Sequence, residues 1–322
     1  MVQPVAEVER PPASRRGQGV IAAAAGAAVV AIGAAIWLAR MDPGMDSGAL
    51  PVIAGGLFEA SGVAHVPGTN QLLFVDDGQT REIFMMELGP DGKQEGESVR
   101  IPLAADVTDL EGITSDGRHF YVVGSQSKLT GFDGDGLVRF TFDPKTSRAE
   151  RVEPISGLKA WLAANVPELR GTDRTIGDHV LNIEAIAWDP RNDRLLLGLR
   201  APVIDGHALI VPIRLTDSSA AFRRENLRLD GATIRVDLEG AGIRGLEYDQ
   251  AASAFRLITG ASLNEETLDF RLTEWDGISE SAVRDIATFP RTVKPEGSTR
   301  AALGGRPVTV IVFDVGRFTV TD

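Results

Sequence analysis

The stretch Asp109-Leu110-Glu111-Gly112-Ile113-Thr114, followed by Asp116-Gly117 and Phe120-Tyr121-Val122-Val123-Gly124, decides how the rest of the chain is read. It predicts a short strand, a tight Asp-Gly turn and a second, antiparallel strand, with an acid at the start of the first. The phrase returns along the chain. Ser61-Gly62 precedes an apolar run at 72–75, Glu184-Ala185 one at 195–198, Arg244-Gly245 one at 255–258, and Glu296-Gly297 one at 308–313. Anchored on Ser61, Glu111, Glu184, Arg244 and Glu296, the period is about 50 residues, longer where insertions fall.

Each unit holds about four short runs of strand character separated by Gly- and Asp-rich turns, so the chain reads as all-β. A four-stranded module of this length is the mark of a propeller blade. The expected fold is a β-propeller of about five four-stranded blades, with six as the alternative if an insertion hides one. The fifth unit stops one strand short, and the segment at 50–53 is placed to supply that strand and close the ring. Residues 156–178 contain Leu158-Lys159-Ala160-Trp161-Leu162-Ala163-Ala164-Asn165, a helical run ended ahead of Pro167 and positioned to cap the ring.

The N-terminus is organised differently. Residues 1–19 form a polar, Pro-containing tail with Arg10, Arg15 and Arg16, and residues 20–39 are Ala-, Gly-, Val- and Ile-rich with Trp37 near the end. An uncharged run of this length predicts one transmembrane helix, and the preceding arginines place the tail in the cytoplasm. The expectation is a signal anchor in a bacterial inner membrane. A linker at 40–49 then leads to the propeller at 50–322, outside the membrane in the periplasm or beyond. The alternative is a signal peptide whose removal secretes the propeller.

Composition narrows the function classes. The 322 residues carry a net charge of −12 and no cysteine. An acidic body is a poor surface for phosphate backbones, so nucleic acid is not an expected partner. Without cysteine there is no disulfide, thiolate metal site or Cys nucleophile. The chain has no Gly-x-Ser-x-Gly elbow, P-loop or dinucleotide fingerprint.

The phase of the repeat locates the chemistry. The start of each inner strand and the end of the next strand share a face of an antiparallel sheet. One mouth of the ring should therefore gather Glu111, Glu184, Arg244 and Glu296 with Asp109 and Asn182. Residues that follow the second strands join them there: Asp76-Asp77, Ser125 to Lys128, Arg200, Ser262 to Asn264, and Asp314. The candidate ligand-binding residues are Glu111, Glu184, Arg244, Glu296, Arg200, Ser125, Asn182 and Asp109. Three carboxylates on neighbouring blades need compensation. One reading places calcium or another divalent cation among Glu111, Glu184 and Glu296, because oxygen donors suit such ions. The other has each Glu cap backbone N–H groups or pair with an arginine. His65 and His119 fall on the opposite face, whereas His179 and His207 are within reach of the mouth.

With Asp109-Leu110-Glu111-Gly112, Gly124-Ser125-Gln126-Ser127, Asn182-Ile183-Glu184-Ala185 and Gly198-Leu199-Arg200-Ala201-Pro202 in view, the soluble part resembles the bacterial domain-of-unknown-function 3616 family. That resemblance implies a propeller and no particular activity. More distantly, the Glu-Gly phrases are similar to those of phytase-like esterases and of gluconolactonase and paraoxonase-type propellers. Those hold a cation in the central channel and hydrolyse esters, lactones or phosphoesters. Two functions follow as expectations. One is a non-catalytic propeller binding a small molecule or protein at a Glu/Arg-lined mouth. The other is a divalent-cation-dependent hydrolase using Glu111, Glu184 and Glu296.

Overall fold

The computed structural model describes residues 47–322 apart from 128–134, 176, 178, 218–219 and 264–266. The expected cytoplasmic tail, transmembrane helix and most of the linker lie outside the described residues, as do Lys128 and Asn264. Among the described residues no helix is long and apolar enough to cross a membrane.

Five antiparallel sheets follow one another along the chain. The first is β1 (Ala60–His65), β2 (Gln71–Asp76), β3 (Glu82–Glu87) and β4 (Val99–Pro102); the second is β5 (Leu110–Ser115), β6 (Phe120–Gly124), β7 (Asp135–Asp143) and β8 (Arg148–Ser156). The third is β9 (Asn182–Asp189), β10 (Arg194–Ala201), β11 (His207–Leu215), β12 (Leu227–Leu229) and β13 (Ile234–Asp237). The fourth is β14 (Gly242–Asp249), β15 (Ala254–Gly260), β16 (Phe270–Trp275) and β17 (Arg284–Phe289); the fifth is β18 (Pro295–Leu303), β19 (Arg306–Phe313) and β20 (Arg317–Thr321). The first strands β1, β5, β9, β14 and β18 contact one another in a closed ring. The fold is a five-bladed β-propeller.

Its core is divided among the five blade interfaces. Leu73, Val75, Val122 and Phe140 pack between blades 1 and 2. Tyr121, Val123, Ile183 and Leu197 pack between blades 2 and 3. Leu196, Ile210, Phe255 and Trp275 fill the next interface. Ile258, Phe289, Ile311 and Phe313 fill the one between blades 4 and 5. Phe74, Leu72, Val308 and Val310 join blade 5 back to blade 1. Inner and middle strands are thus covered on both faces, which is why β10 and β19 read as nearly unbroken apolar runs. Outer strands such as β4 and β8 are mostly exposed or half-buried, with a single buried residue each, because they edge the blade against water.

Closure of the ring uses the N-terminal segment, as the short fifth unit predicts. The Ile53 N–H donates to the Gly316 carbonyl at 2.9 Å, and the Phe318 N–H donates to the Pro51 carbonyl at 3.0 Å. Val52 bridges Arg317, so this segment is the missing outer edge of blade 5. Leu50 packs into the core between blades 4 and 5, and Ile53, fully buried, into that between blades 5 and 1. Burying an Ile side chain stabilises by about 1.5–3 kcal/mol, enough to hold a short edge segment in place.

Two stretches depart from the plain four-stranded module. Blade 3 has an outer strand in two pieces: β12 pairs with the second half of β11 and β13 with its first half. Between them Asp230 accepts Arg194 and Arg214. The helix Leu158–Asn165 does not cap the mouth. Leu158 and Leu162 are fully buried and insert into the interface of blades 2 and 3, because an apolar stripe finds its cover there.

At the hub the inner strands meet backbone to backbone. A Cβ on Gly297 would lie 2.9 Å from Gly62 Cα, one on Gly62 2.9 Å from the Glu111 carbonyl oxygen, and one on Gly245 2.6 Å from that of Glu296. Farther along these strands, side chains of one blade satisfy backbone donors of the next. The Trp188 N–H donates to Thr114 Oγ1 at 3.1 Å, that of His65 to Thr299 Oγ1 at 3.3 Å, and that of Arg300 to Glu247 Oε1. Burial pushes the Glu247 carboxyl up to about 7, against the opposing pull of the Arg300 N–H and the Arg256 charge.

Two outcomes are expected. Gly297→Ala wedges a methyl between two backbones with no flexible neighbour to yield; it should cost about 1–3 kcal/mol and lower the urea midpoint. An unchanged midpoint would show that the hub opens freely. Glu247 holds a proton in the fold that the unfolded chain releases above its ordinary value of 4.5. Its contribution to stability therefore falls as pH rises from about 4.5 to about 7 and is level above that. Glu247→Gln keeps the acceptor for Arg300. Relative to the parent it should gain stability between pH 5 and pH 8, by up to about 3 kcal/mol. A pH-independent difference in thermal unfolding would contradict a buried neutral carboxyl.

Candidate functional site

One residue of every inner strand is skipped by the ladder to the next strand. Leu110 pairs with Gly124 and Gly112 with Val123, so Glu111 has no partner across the ladder. The same one-residue bulge falls at Ser61, Glu184, Arg244 and Glu296. A bulge kinks its strand and re-aims the side chain it carries. Here it occurs once per blade, and all five residues line one pit of about 610 Å³ at the hub. The small residue that follows each of them, Gly62, Gly112, Ala185, Gly245 or Gly297, forms the floor, leaving a void of about 10 Å³. The pit is therefore blind, and a second cavity of about 360 Å³ opens on the opposite face.

Two rim residues adopt left-handed backbone. Asp109 has φ +61° and Lys294 φ +47°, each two positions before a bulge. The conformation costs a non-glycine residue about 1–2 kcal/mol and is held by hydrogen bonds from the neighbouring strand end. The Ser125 N–H donates to the Asp109 carbonyl at 2.9 Å, and the Asp314 N–H to that of Lys294 at 3.1 Å. Their side chains join the pit wall, where Lys294 Nζ pairs with Asp314 Oδ2.

The floor is a buried ionic network. Arg200 Nη1 is 2.9 Å from Glu184 Oε1, which also accepts from Asn182 Nδ2 at 3.0 Å. Arg244 Nη1 lies 3.0 Å from Glu184 Oε2 and 3.3 Å from Glu296 Oε1. Arg200 Nε donates to the Ser262 carbonyl at 3.1 Å, and the Arg244 guanidinium stands 5.5 Å from the Phe270 ring centre. Among the described residues Glu111 has no hydrogen-bond or ion-pair partner. Burial, then the charges of Glu184, Asp109, Glu296 and Asp77, push its carboxyl well above the usual range. Burial raises Glu296 to about 8 although Arg244 opposes it, and burial with a hydrogen bond to Glu59 raises Asp77 to about 7. Burial would lower Arg244, but Glu184, Glu296 and Glu111 outweigh it and hold the guanidinium above its ordinary value.

Most expected residues come together. Glu111, Glu184, Arg244, Glu296, Arg200, Asn182 and Asp109 line the pit, as do Asp77 and Asp314. Ser125 does not. It is buried behind the wall and donates its hydroxyl to Asp109 Oδ2, so its part is to orient that carboxylate. Asp76 caps the backbone N–H groups of Glu59 and Gly78. His65 lines the opposite cavity, as expected, and His119 is tied to Asp116 at 3.0 Å. Neither His179 nor His207 lines the pit; His207 begins the third strand of its blade, paired with Asp237. An apolar wall was missed: Ala261, Leu263, Leu268 and Phe270, all from the β15–β16 region of blade 4. Its one trace in the sequence is Gly260, where a Cβ would lie 2.8 Å from the Phe270 ring.

Among the described residues no group of three or more His, Asp or Glu side chains is arranged to hold a metal ion. Glu184 directs both oxygens at Arg200, Asn182 and Arg244, and Glu296 shares Arg244. The carboxylates do not fit a shared cation while the arginines are in place. Acceptors nonetheless remain free: Asp77 Oδ1 and Asn182 Oδ1 are buried with no hydrogen-bond partner among the described residues.

No curated protein matches the chain in sequence. Solved structures resemble it at low identity. The PQQ domain of pyranose dehydrogenase from Coprinopsis cinerea is 10% identical over 84% of this chain and 94% of that one, with a TM-score of 0.48. Glutaminyl cyclase from Myxococcus xanthus is 12% identical over 84% and 97%, with a TM-score of 0.43. The periplasmic gluconolactonase of Pseudomonas aeruginosa is 13% identical over 81% and 71%, with a TM-score of 0.38. Residues 175–294, which carry blades 3 and 4 with Asn182, Glu184, Arg200 and Arg244, match the family described as "Protein of unknown function (DUF3616)", the family that the motifs of the chain resemble.

Proposed function

We propose that this propeller binds a small, neutral, hydroxyl-rich molecule in the hub pit. The observation that carries the reading is Glu111, a half-buried carboxyl with no partner among the described residues, in a pit that also holds the buried, unpaired acceptors Asp77 Oδ1 and Asn182 Oδ1. Buried acceptors left unpaired cost about 1–3 kcal/mol each, and a ligand that donates hydrogen bonds recovers that cost. Charge argues for neutrality. Six carboxyls and four cationic side chains line the pit, an excess of two negative charges that the upward shifts of Glu111, Glu296 and Asp77 reduce. Leu263, Leu268 and Phe270 offer an apolar wall opposite the acids, suited to the C–H face of a sugar ring or aldonolactone. The volume, about 610 Å³, is in the usual range for a small ligand.

The hydrolase alternative draws on the same residue, since a carboxyl shifted upward by burial and neighbouring acids is suited to donate a proton to a leaving group. Its divalent-cation form is less well supported, because Glu184 and Glu296 direct oxygens at Arg244. The apolar run at 20–39 and the arginines before it support display of the propeller outside a bacterial inner membrane.

The test is a thermal-shift and calorimetric panel on residues 47–322 and on the full chain, using glucose, galactose and glucono-δ-lactone against glucosamine and gluconate. Neutral probes should raise Tm and bind, and Glu111→Ala should weaken binding about 10-fold or more, the equivalent of one lost hydrogen bond. Binding of gluconate or glucosamine with no response to any neutral probe would overturn the assignment.

A further inference from the structure

Arg244 occupies one of five equivalent bulge positions, whose other members are Ser61, Glu111, Glu184 and Glu296. Its side chain is 12% exposed and ends among oxygens. Glu184 Oε2 is 3.0 Å and Glu296 Oε1 3.3 Å from Nη1, and the Ala261 carbonyl is 3.4 Å from Nη2. Two carboxylates from the flanking blades and a main-chain carbonyl are the donors that a hard divalent cation takes, and here they surround a guanidinium. We propose that Arg244 is the resident cation of the hub: a positive charge supplied by the chain at a position whose oxygen donors would otherwise bind a metal ion. The inference rests on the hub geometry and not on the identity of the ligand.

Three consequences follow from the geometry. Arg244 joins blade 3 to blade 5 by holding Glu184 and Glu296 from between, so the ring is cross-linked at its centre without metal. Chelators should leave the stability of the parent untouched. Loss of the guanidinium should uncover an oxygen cage made of Glu184, Glu296 and the Ala261 carbonyl, with Glu111 beside it. Arg200 still holds Glu184 Oε1 there, but Glu184 Oε2 and Glu296 lose their cationic partner, and the space that the guanidinium vacates is open to a cation.

The experiment compares the parent, Arg244→Ala and Arg244→Gln by thermal unfolding and calorimetry with CaCl2 or MgCl2 after EDTA treatment. The parent should show no calcium-dependent shift. Arg244→Ala should unfold at a lower temperature, bind calcium at about one ion per chain and recover part of the lost stability; Arg244→Gln, which keeps the side-chain length, provides the same readout should the alanine variant fail to fold. Glu184→Gln placed on top of either should weaken the calcium response at least 10-fold. Stoichiometric calcium in the parent would overturn the proposal, as would folded variants that gain no calcium response. A parent that binds no calcium yet binds the sugar probes supports both readings, and one that binds neither supports this inference while rejecting the ligand assignment.

Discussion

Five strands cannot converge on one axis unless their backbones are allowed to touch, and that contact governs the rest of the molecule. The residue that makes it possible is the one after each bulge, glycine in four blades and alanine in the third. With nothing larger in that place, neighbouring strands close to within van der Waals distance and seal the channel. The bulge immediately before has the opposite effect, since its extra residue turns a long side chain away from the ladder and toward the axis. Closing the floor and arming it are thus adjacent steps in one short motif, repeated around the ring.

Having brought several charges to a closed floor, the fold must compensate them. The ionic network of Glu184, Arg200, Arg244 and Glu296 is buried, and for such groups the cost of leaving water largely offsets the Coulomb gain. Its value lies in position. Glu184 accepts from Asn182 and Arg200 of its own blade and forms an ion pair with Arg244 of the next, and Arg244 reaches Glu296 beyond. Glu111 stands outside these pairings, its carboxyl raised by burial and by the charges of Glu184 and Asp109. The opposite end of the hub meets a related demand in another way, where Glu247 spends one oxygen on the Arg300 backbone and ties two blades together.

How far the site was legible depended on what kind of contact each residue makes. Glu111, Glu184, Arg244, Glu296 and Asp109 could be placed at one mouth from the repeat alone, because antiparallel alternation assigns a face to every position. Ser125 was placed at the mouth by the same logic yet stands behind it, since its hydroxyl is claimed by the carboxylate of Asp109, curled inward by left-handed backbone. Phe270 and Leu268 were invisible because they belong to the third strand and its loop, whose reach depends on how far that loop folds over the pit. The helix at 158–165 was readable as a helix, but where its apolar stripe docks was decided by the gap between blades 2 and 3.

By itself the sequence determined the strand class, the four-stranded module repeated about five times, the need for an N-terminal closing segment and the convergence of polar residues on one face. These follow from local alternation, turn chemistry and a count of units. Only the tertiary structure decided that the mouth is a blind pit, which carboxylates are paired, and that a guanidinium occupies its cationic position. Arg244 and Glu296 are 52 positions apart, and nothing local relates them. They meet because the ring closes, and the charge of each is set by the burial and the neighbours that closure creates.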